Sequence, residues 1–328
     1  MATVPQRFGA GHRMLVTGGA GFVGSHLVAA LVDRGCDVVA VDNLVTGWKG
    51  NLAQFDGNPR LSLVEADISE SLPDDPRLAD RFDAVLHFAC PASPTDFVKL
   101  PIEILRVDSL GTFHCLDRAL ADRARFLLAS TSEVYGDPRV HPQPESYWGN
   151  VNPNGIRSVY DEAKRFSEAA TMAYHRTYGL DTGMVRIFNT YGPGMRPDDG
   201  RAIPTFICQA LRGEPLTVAG DGSQTRSICY VDDLVRGILA VLDSDLSEPV
   251  NIGTENEMSM RELAETIVRL TGSMSHISYV PRPADDPSVR RPDLTLARTA
   301  LGYEPRMSPE EGLRHTIDYF AEHLGLKL

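Results

Sequence analysis

Short, continuously apolar segments alternate with helical patterns along the first half of the chain. The apolar segments cover residues 13–17, 37–41, 61–64, 84–88 and 126–129. Segments of this length without polar interruption are typical of strands that are covered on both faces. Between them, residues such as 22–34 and 101–123 have apolar positions at helical spacing. This alternation predicts right-handed crossovers and a doubly wound parallel sheet of the α/β class.

The second half of the chain has a different pattern. A long helix is predicted over residues 157–178 and a further strand over 184–188. After Tyr191, clusters of glycine and proline mark loops between helices predicted over 201–212 and 259–271. The change in pattern indicates a second, differently built part of the molecule.

We therefore expect two domains. Residues 1–190 form the sheet domain, and a smaller, mostly C-terminal domain covers residues 191–328. A segment of about 228–255, with a helix over 231–242, is expected to return to the first domain. A length of 328 residues agrees with roughly two domains of ordinary size.

Charge and cysteine content narrow the class of protein. The formal net charge of -12 argues against a nucleic-acid surface, which requires clustered lysine and arginine. The five cysteines are scattered without a C-x-x-C pair, so free thiols are expected rather than a disulfide or metal framework. No apolar run approaches the ~18 residues of a membrane helix, and the N-terminus lacks the apolar core of a signal peptide. We expect a cytoplasmic protein with no metal, nucleic-acid or membrane partner.

A glycine-rich segment follows the first predicted strand and opens the first predicted helix. Gly18, Gly21 and Gly24 permit a tight turn, close approach of a pyrophosphate and close helix–strand packing, while the helix N-terminus attracts phosphate. The second strand ends at Asp42, where a carboxylate can bind ribose hydroxyls and would repel a 2′-phosphate. A glycine triplet alone is weak, but this context predicts a Rossmann-like site for NAD.

Tyr160 and Lys164 lie four residues apart, on one face of a predicted helix. A nearby ammonium favours the phenolate and lowers the tyrosine pKa from its ordinary ~10, which makes Tyr160 a base for a hydroxyl proton. Such a pair is common and is usually a surface pair. It gains weight here because the cofactor loop and a strand ending in Thr131, Ser132 and Glu133 precede it.

On these motifs the chain resembles the extended short-chain dehydrogenase/reductases, and among them the UDP-glucuronate decarboxylases, also called UDP-xylose synthases. The resemblance runs from about residue 13 to 320. It includes the longer strings STSEVYGDP (130–138), HPQ (141–143), YWG (147–149), RIFNTYGP (186–193), GEPLTV (213–218) and GSQTR (222–226). Strings of this length are highly specific.

The resemblance implies a three-stage reaction on one tightly held NAD. Tyr160 removes the proton of the sugar C4 hydroxyl while a hydride leaves for NAD, Lys164 lowers the tyrosine pKa and holds the nicotinamide ribose, and Thr131 holds the C4 oxygen. The 4-keto sugar then carries a carboxylate β to a ketone, so CO2 can leave. Protonation at C5 and return of the hydride convert UDP-glucuronate to UDP-xylose.

Three further residues distinguish this reaction from that of related enzymes. Sugar-nucleotide 4,6-dehydratases carry Asp-Glu after the threonine, whereas Ser132 stands here in place of that acid. By resemblance, Ser132 positions the sugar carboxylate, Glu133 handles a proton near C5 or pushes against the carboxylate, and Arg290 holds the carboxylate or a proton-relay water. The simpler interpretations are a polar strand end for Ser132 and Glu133 and a solvated basic pair for Arg290 and Arg291.

The resemblance also implies contacts with both ligands. The residues expected at NAD are Gly18, Gly21, Phe22, Val23, Gly24, Asp42, Asn43, Asp67, Ile68, Ala89, Tyr160 and Lys164, although a turn or cap is an equal alternative for Asp67. Those expected at the nucleotide sugar are Asn189 and Arg226 first, then Arg157, Arg201, Leu216 and Val218, the last two packing on the uracil. A homodimer through the helices that flank the Tyr160 segment is expected as well.

Three positions depart from the family pattern. Cys90 stands where serine is usual, Asp108 where asparagine is common, and Gly194 where an arginine usually follows Gly-Pro. The loss at position 194 removes one substrate or subunit contact, for which Arg196 is a possible substitute.

Other functions remain open at this point. A decarboxylase that releases the 4-keto pentose, a C4 epimerase and a 4,6-dehydratase are the nearest alternatives. Ser132 disfavours dehydration, and an epimerase would not require Glu133 together with Arg290. A non-catalytic NAD-binding sensor is more remote, because it would be expected to have lost Tyr160 or Lys164.

Overall fold

The apolar segments of the first half form the centre of one parallel sheet. A computed structural model describes residues 4–326. Its strands are β1 (Arg13–Thr17), β2 (Asp37–Asp42), β3 (Leu61–Glu65), β4 (Ala84–His87), β5 (Arg125–Thr131), β6 (Thr182–Ile187), β7 (Thr190–Tyr191), β8 (Leu216–Ala219), β9 (Thr225–Ser227), β10 (Cys229–Tyr230), β11 (Pro249–Ile252), β12 (Glu257–Ser259) and β13 (Ile277–Val280).

The helices occupy the segments between and after these strands. They are α1 (Phe22–Asp33), α2 (Pro76–Ala79), α3 (Pro94–Lys99), α4 (Pro101–Arg106), α5 (Thr112–Asp122), α6 (Ser158–Tyr178), α7 (Ala202–Arg212), α8 (Val231–Asp243), α9 (Met260–Thr271), α10 (Thr295–Leu301) and α11 (Pro309–His323). Two 3-10 turns (Lys49–Phe55 and Ser132–Tyr135) and one π-helical turn (Val107–Gly111) complete the set.

Seven strands make the main sheet, in the order β11-β6-β5-β4-β1-β2-β3. Every neighbouring pair in it is parallel. The chain order reverses between β1 and β4, and in such sheets ligands bind outside the carboxyl ends of the strands at that point. The predicted doubly wound α/β fold is therefore confirmed.

The core lies on both faces of this sheet. Along β1, Met14 and Val16 belong to the cluster on one face and Leu15 to the cluster on the other, and all three are fully buried. This arrangement explains why the strand has no polar interruption. The first of these clusters continues into the region after β6, where it includes Phe206 of α7 and Leu263 of α9. Among the described residues, no helix has the length and apolar character needed to cross a membrane.

The helix expected over residues 101–123 is not continuous. The π-helical turn Val107–Gly111 separates α4 from α5. There the N–H of Thr112 donates to the carbonyl of Ser109, so the carbonyl of Asp108 loses its usual helical partner. The hydroxyls of Thr112 and Ser167 donate to that carbonyl instead, each at 2.7 Å. These two hydroxyls offset the cost of the irregular turn, and no hydrophobic pattern would reveal them.

Candidate active site

A cavity of about 480 Å³ opens at the carboxyl ends of β1, β4 and β5, between the sheet and the region around α7. Most of the residues singled out in the sequence line it. They are Gly18, Gly21, Phe22, Val23, Gly24, Thr131, Ser132, Glu133, Arg157, Tyr160, Lys164, Asn189, Arg201 and Arg226. The cavity thus brings together residues that are far apart in sequence.

The glycine-rich loop between β1 and α1 leaves no room for a side chain at Gly18 or at Gly24. Gly18 has φ +70°, and a Cβ there would lie 2.7 Å from the Cα of Ala89. A Cβ on Gly24 would lie 2.0 Å from the carbonyl oxygen of Gly18. No side chain caps the N-terminus of α1 and its first turn has no acidic residue, so its N–H groups remain for an anion. The loop therefore fits the pyrophosphate of NAD.

Asp42 tethers this loop to the end of β2. Its two carboxylate oxygens accept from the N–H groups of Leu44 (2.8 Å) and Ala20 (3.0 Å). Burial raises the pKa of Asp42, and these backbone bonds oppose the rise. Asp42 lies outside the lining of the cavity, so its contact with a ribose stays a prediction.

Four other residues expected at the cofactor also lie outside that lining. Asn43 donates to Asp67 at 3.0 Å beside the ends of β2 and β3. Ile68 is buried in the core, and Ala89 packs against Gly18. Asp67 also accepts from the N–H of Ser69 at 2.8 Å, which is the turn role that the sequence left open for it. Their contact with NAD stays a prediction.

Tyr160 and Lys164 project from the first turns of α6 into the cavity. The ring of Tyr160 stacks on Phe97 with 4.8 Å between centroids, and both rings are buried. Burial raises the pKa of Tyr160 above its ordinary value, although Lys164 and the side chain of Thr131 oppose the rise. Lys164 thus lowers the pKa of Tyr160 as expected, but burial has the larger effect, so the use of Tyr160 as a base near neutral pH stays a prediction.

Lys164 is held by two protein oxygens. Its Nζ donates to Oδ1 of Asp108 at 2.8 Å and to the carbonyl oxygen of Ala129 at 3.1 Å. Burial disfavours the ammonium, but the Asp108 carboxylate outweighs this effect and the pKa of Lys164 is raised. Asp108 was noted in the sequence only as a departure, and its contact with Lys164 was missed because the π-helical turn that positions it has no sequence signature.

Glu133 lies between two arginines. Its Oε2 accepts from Nη2 of Arg157 at 2.6 Å, and its Oε1 forms an ion pair with Arg290. Arg290 is 1% exposed and donates to the carbonyl of Gly136 at 2.8 Å. Burial alone would raise the pKa of Glu133, but Arg290 and Arg157 lower it to about 2. Glu133 is thus an anion, and the two guanidinium groups beside it leave the cluster with one net positive charge.

Thr131 and Ser132 connect this cluster to the tyrosine. Thr131 ends β5, and its side chain accepts from the N–H of Glu133 at 3.2 Å. Ser132 begins the 3-10 turn Ser132–Tyr135 and is 3% exposed. The same turn therefore fixes the hydroxyls and the carboxylate on one wall of the cavity.

The residues expected at the nucleotide sugar divide into two groups. Arg226 and Arg201 line the cavity beside their carboxylate partners, Asp286 at 3.0 Å and Asp199 at 2.5 Å. Asn189 also lines it, and its Oδ1 is buried without a hydrogen-bond partner among residues 4–326. An unpaired buried amide oxygen is costly, so this atom fits a ligand donor.

Leu216 and Val218 do not contact the cavity. Both are fully buried in the core, because alternate residues of a strand face opposite sides. Their neighbours Thr217 and Ala219 line the cavity instead. We expected Leu216 and Val218 to pack on the base, but the opposite face of β8 is the one that lines the cavity.

Comparison with known proteins agrees with this geometry. Residues 14–253 match the NAD dependent epimerase/dehydratase family. The chain belongs to that family.

Within this family, the chain is similar to several individual enzymes that act on nucleotide sugars. UDP-glucuronic acid decarboxylase 5 of Arabidopsis thaliana is 47% identical over 315 residues, which cover 96% of this chain and 91% of that protein. The solved dTDP-glucose 4,6-dehydratase of Streptomyces venezuelae, with NAD bound, has a TM-score of 0.86 and 33% identity, covering 95% of this chain and 98% of its own. The UDP-glucuronic acid 4-epimerase of Bacillus cereus, solved with UDP-glucuronic acid and NAD, has a TM-score of 0.85 and 28% identity, covering 95% and 99%.

Proposed function

We propose that this chain converts UDP-glucuronate to UDP-xylose with loss of CO2, using NAD that stays bound. The observation that carries the proposal is the position of Glu133, held as an anion by Arg157 and Arg290 in the same cavity as Tyr160 and Lys164. The 47% identity to a UDP-glucuronic acid decarboxylase supports the same substrate and reaction.

The first stage is oxidation at C4 of the sugar. Tyr160 takes the proton of the C4 hydroxyl, and Thr131 holds the oxygen from which it leaves. The Lys164 ammonium stabilises the phenolate that Tyr160 must become. Bound NAD supplies the hydride acceptor and donor, and the glycine loop with the N-terminus of α1 would hold its pyrophosphate.

The second stage is loss of CO2 from the 4-keto sugar. A carboxylate β to a ketone can leave as CO2 because the ketone accepts the electron pair as an enolate. The two arginines around Glu133 carry one more positive charge than it can neutralise, and an incoming sugar carboxylate would complete the balance. The C5 carbon of the enolate then takes up a proton from water, which the Glu133 carboxylate orients on the C5 side, and Ser132 orients the sugar carboxylate before it leaves.

The nucleotide diphosphate is proposed to bind on the α7 side of the cavity. Arg226 and Arg201 present guanidinium N–H donors there beside Asp286 and Asp199, and the side-chain amide of Asn189 lines the same cavity. Thr217 and Ala219 of β8 offer the surface for the base. In this division of labour, residues 1–190 with the return segment 228–255 hold NAD, and residues 191–328 hold the nucleotide sugar.

The assembly is proposed to be a cytoplasmic homodimer. Helices α5 and α6 carry exposed apolar side chains, among them Leu110 just before α5 (48% exposed) and Phe166 (41% exposed). Phe113 and Phe166 pack edge to face across the two helices at 5.6 Å. Exposed apolar side chains that contact each other across two helices suit a second copy of the chain. The cytoplasmic location rests on the scattered free thiols.

The test is incubation of the purified protein with UDP-glucuronate and no added NAD. Loss of CO2 by mass, without lasting absorbance of reduced nicotinamide, is the expected result, and Tyr160→Phe should show neither signal. Accumulating reduced nicotinamide would instead indicate release of the 4-keto pentose. Unchanged mass with inversion at C4 by NMR would indicate an epimerase, which the Bacillus cereus neighbour makes the second candidate. No change after NAD is supplied overturns the proposal.

A further inference from the structure

Asp108 is a charged residue at the centre of the site that the reaction described above does not use. It is fully buried, with one carboxylate oxygen on Lys164 at 2.8 Å and the other accepting from the thiol of Cys90 at 3.0 Å. Its backbone carbonyl is fixed by the hydroxyls of Thr112 and Ser167. Cys90 and Asp108, two of the three departures from the family pattern, are thus hydrogen-bonded to each other, and Asp108 binds Lys164.

This ion pair limits the donors that Lys164 has left. An ammonium has three N–H bonds, and here one goes to Asp108 and one to the carbonyl of Ala129. One N–H remains for Tyr160 or for a ligand hydroxyl. The other two bonds set the direction of that remaining bond, because both of their acceptors belong to buried residues.

The pair also changes the charge that Tyr160 experiences. Burial raises the pKa of Tyr160, Lys164 opposes the rise, and Cys90 and Asp108 add to it. The other groups facing the pair are Arg201 on the Tyr160 side, Asp96 near Cys90 and His87 of β4. Burial and Lys164 lower the pKa of His87 to about 3, so it adds no charge at neutral pH. Asp108 is the group in direct contact with the ammonium that opposes its effect.

We propose that Asp108 is a positioning residue that acts through Lys164, holding the ammonium in place while reducing the charge that it exerts on the Tyr160 hydroxyl. The proposal rests on the proposed role of Tyr160 as the base. Without the carboxylate, Lys164 would favour the phenolate more strongly and would itself lose its proton more easily. Both changes move ionisation to lower pH.

The test is Asp108→Asn, which keeps shape and removes charge. The pH profile of kcat/KM for UDP-glucuronate should shift as a whole to lower pH by about one unit, since a charge at this distance shifts a pKa by roughly 1–3 units. Asp122→Asn is the matched control, because Asp122 is a shielded carboxylate that pairs with Arg118 at the end of α5, away from the cavity. Its profile should not move.

A second readout needs no turnover. In the purified protein with its bound NAD and without nucleotide sugar, reductive methylation followed by peptide mass spectrometry measures the neutral fraction of each lysine. The rate at Lys164 relative to exposed Lys49 should rise about tenfold in Asp108→Asn, since one pKa unit is a tenfold change in that fraction. Asp108→Ser serves if Asp108→Asn does not fold.

The two outcomes separate the two proposals. An unmoved profile, or a Lys164 labelling ratio within twofold of the unsubstituted protein, overturns the role of Asp108. A loss of rate that is equal at all pH values does the same, because a purely structural residue would act in that way. If the unsubstituted protein does not turn over UDP-glucuronate, the proposed function fails and the labelling ratio alone decides on Asp108.

Discussion

Glu133 depends on its two arginines, and they depend on it. Arg157 and Arg290 are 12% and 1% exposed at the side chain and bind opposite oxygens of the Glu133 carboxylate. Removing one member of a buried charged group leaves the others uncompensated, which costs more than the group contributed. The same three residues are therefore expected to govern stability as well as chemistry.

Glu133→Gln should separate these effects. We expect the variant to bind NAD and carry out the first oxidation, to form little UDP-xylose because the proton is not delivered to C5, and to lose up to about 3 kcal/mol of unfolding free energy. Denaturant unfolding and product mass measure the two effects. Glu168→Gln is the control, because it breaks a similarly buried pair with Arg186 outside the cavity and should retain decarboxylation. Normal turnover in Glu133→Gln would remove Glu133 from the mechanism.

Asp161 is the opposite case, a carboxyl group whose ionised form is disfavoured. It is 5% exposed, and its Oδ1 has no hydrogen-bond partner in the part of the chain that the structure describes. Burial and then the negative charge of Glu133 raise its pKa from 3.8 to about 8, against the opposing effect of Arg157 and Arg290. The folded protein therefore binds a proton here that the unfolded chain releases near pH 4.

Asp161→Asn should remove a pH dependence of stability. A raised folded pKa stabilises the fold fully below the unfolded pKa, and this contribution is lost as pH rises from about 4 to about 8. Relative to Asp161→Asn, the unsubstituted protein should lose at most about 1.4 kcal/mol per pH unit across this window. Unfolding curves at pH 5, 6, 7 and 8 measure the difference. A constant difference between the two proteins would show that Asp161 titrates normally.

At the scale of residues, the sequence predicted which side chains make up the site better than it predicted their surroundings. Short motifs identified four residues by their type and spacing alone, namely Tyr160, Lys164, Thr131 and Glu133. The raised pKa of Tyr160 was missed, because it comes from burial by distant residues such as Phe97.

At the scale of elements, the glycine loop is the part that sequence predicts most directly. Gly24→Ala should collide with the carbonyl of Gly18, where the added Cβ would lie 2.0 Å from the oxygen. We expect α1 to shift, the melting temperature to fall and NAD affinity by calorimetry to drop at least tenfold. Gly21→Ala is the control for folding, since its Cβ would lie 3.2 Å from the same oxygen at an ordinary φ of -74°. Equal melting temperatures for the two variants would contradict the steric argument.

Other elements were predicted in place but not in detail. The strands of the sheet were found because strands buried on both faces have an uninterrupted apolar centre, as residues 14–16 of β1 and 126–129 of β5 do. In β8 we predicted the wrong face to line the cavity. Residues 216–219 have apolar side chains on both faces of the strand, so the hydrophobic pattern alone does not tell the two faces apart. The π-helical turn was missed because its partners, such as Ser167, come from another helix.

At the scale of the whole molecule, the apolar surface of α5 and α6 is the feature without a partner in the described chain. Phe166→Glu places a charge at the centre of this surface, next to Phe113. We expect the variant to sediment as a monomer while the unsubstituted protein sediments as a dimer. The free-energy cost of burying an unpaired carboxylate in an apolar interface is larger than the stabilisation from the apolar contact. Met274→Glu is the control, since Met274 is 97% exposed after α9, and it should leave the mass unchanged.

Activity gives this prediction a second consequence. α6 carries both Phe166 on the proposed interface and Tyr160 and Lys164 in the cavity, so the dimer would hold the helix that positions the base. If so, the monomeric Phe166→Glu variant should lose turnover and regain part of it at protein concentrations that restore the dimer. A monomer with full activity would mean that the fold alone positions α6. An unsubstituted protein that sediments as a monomer would overturn the interface itself.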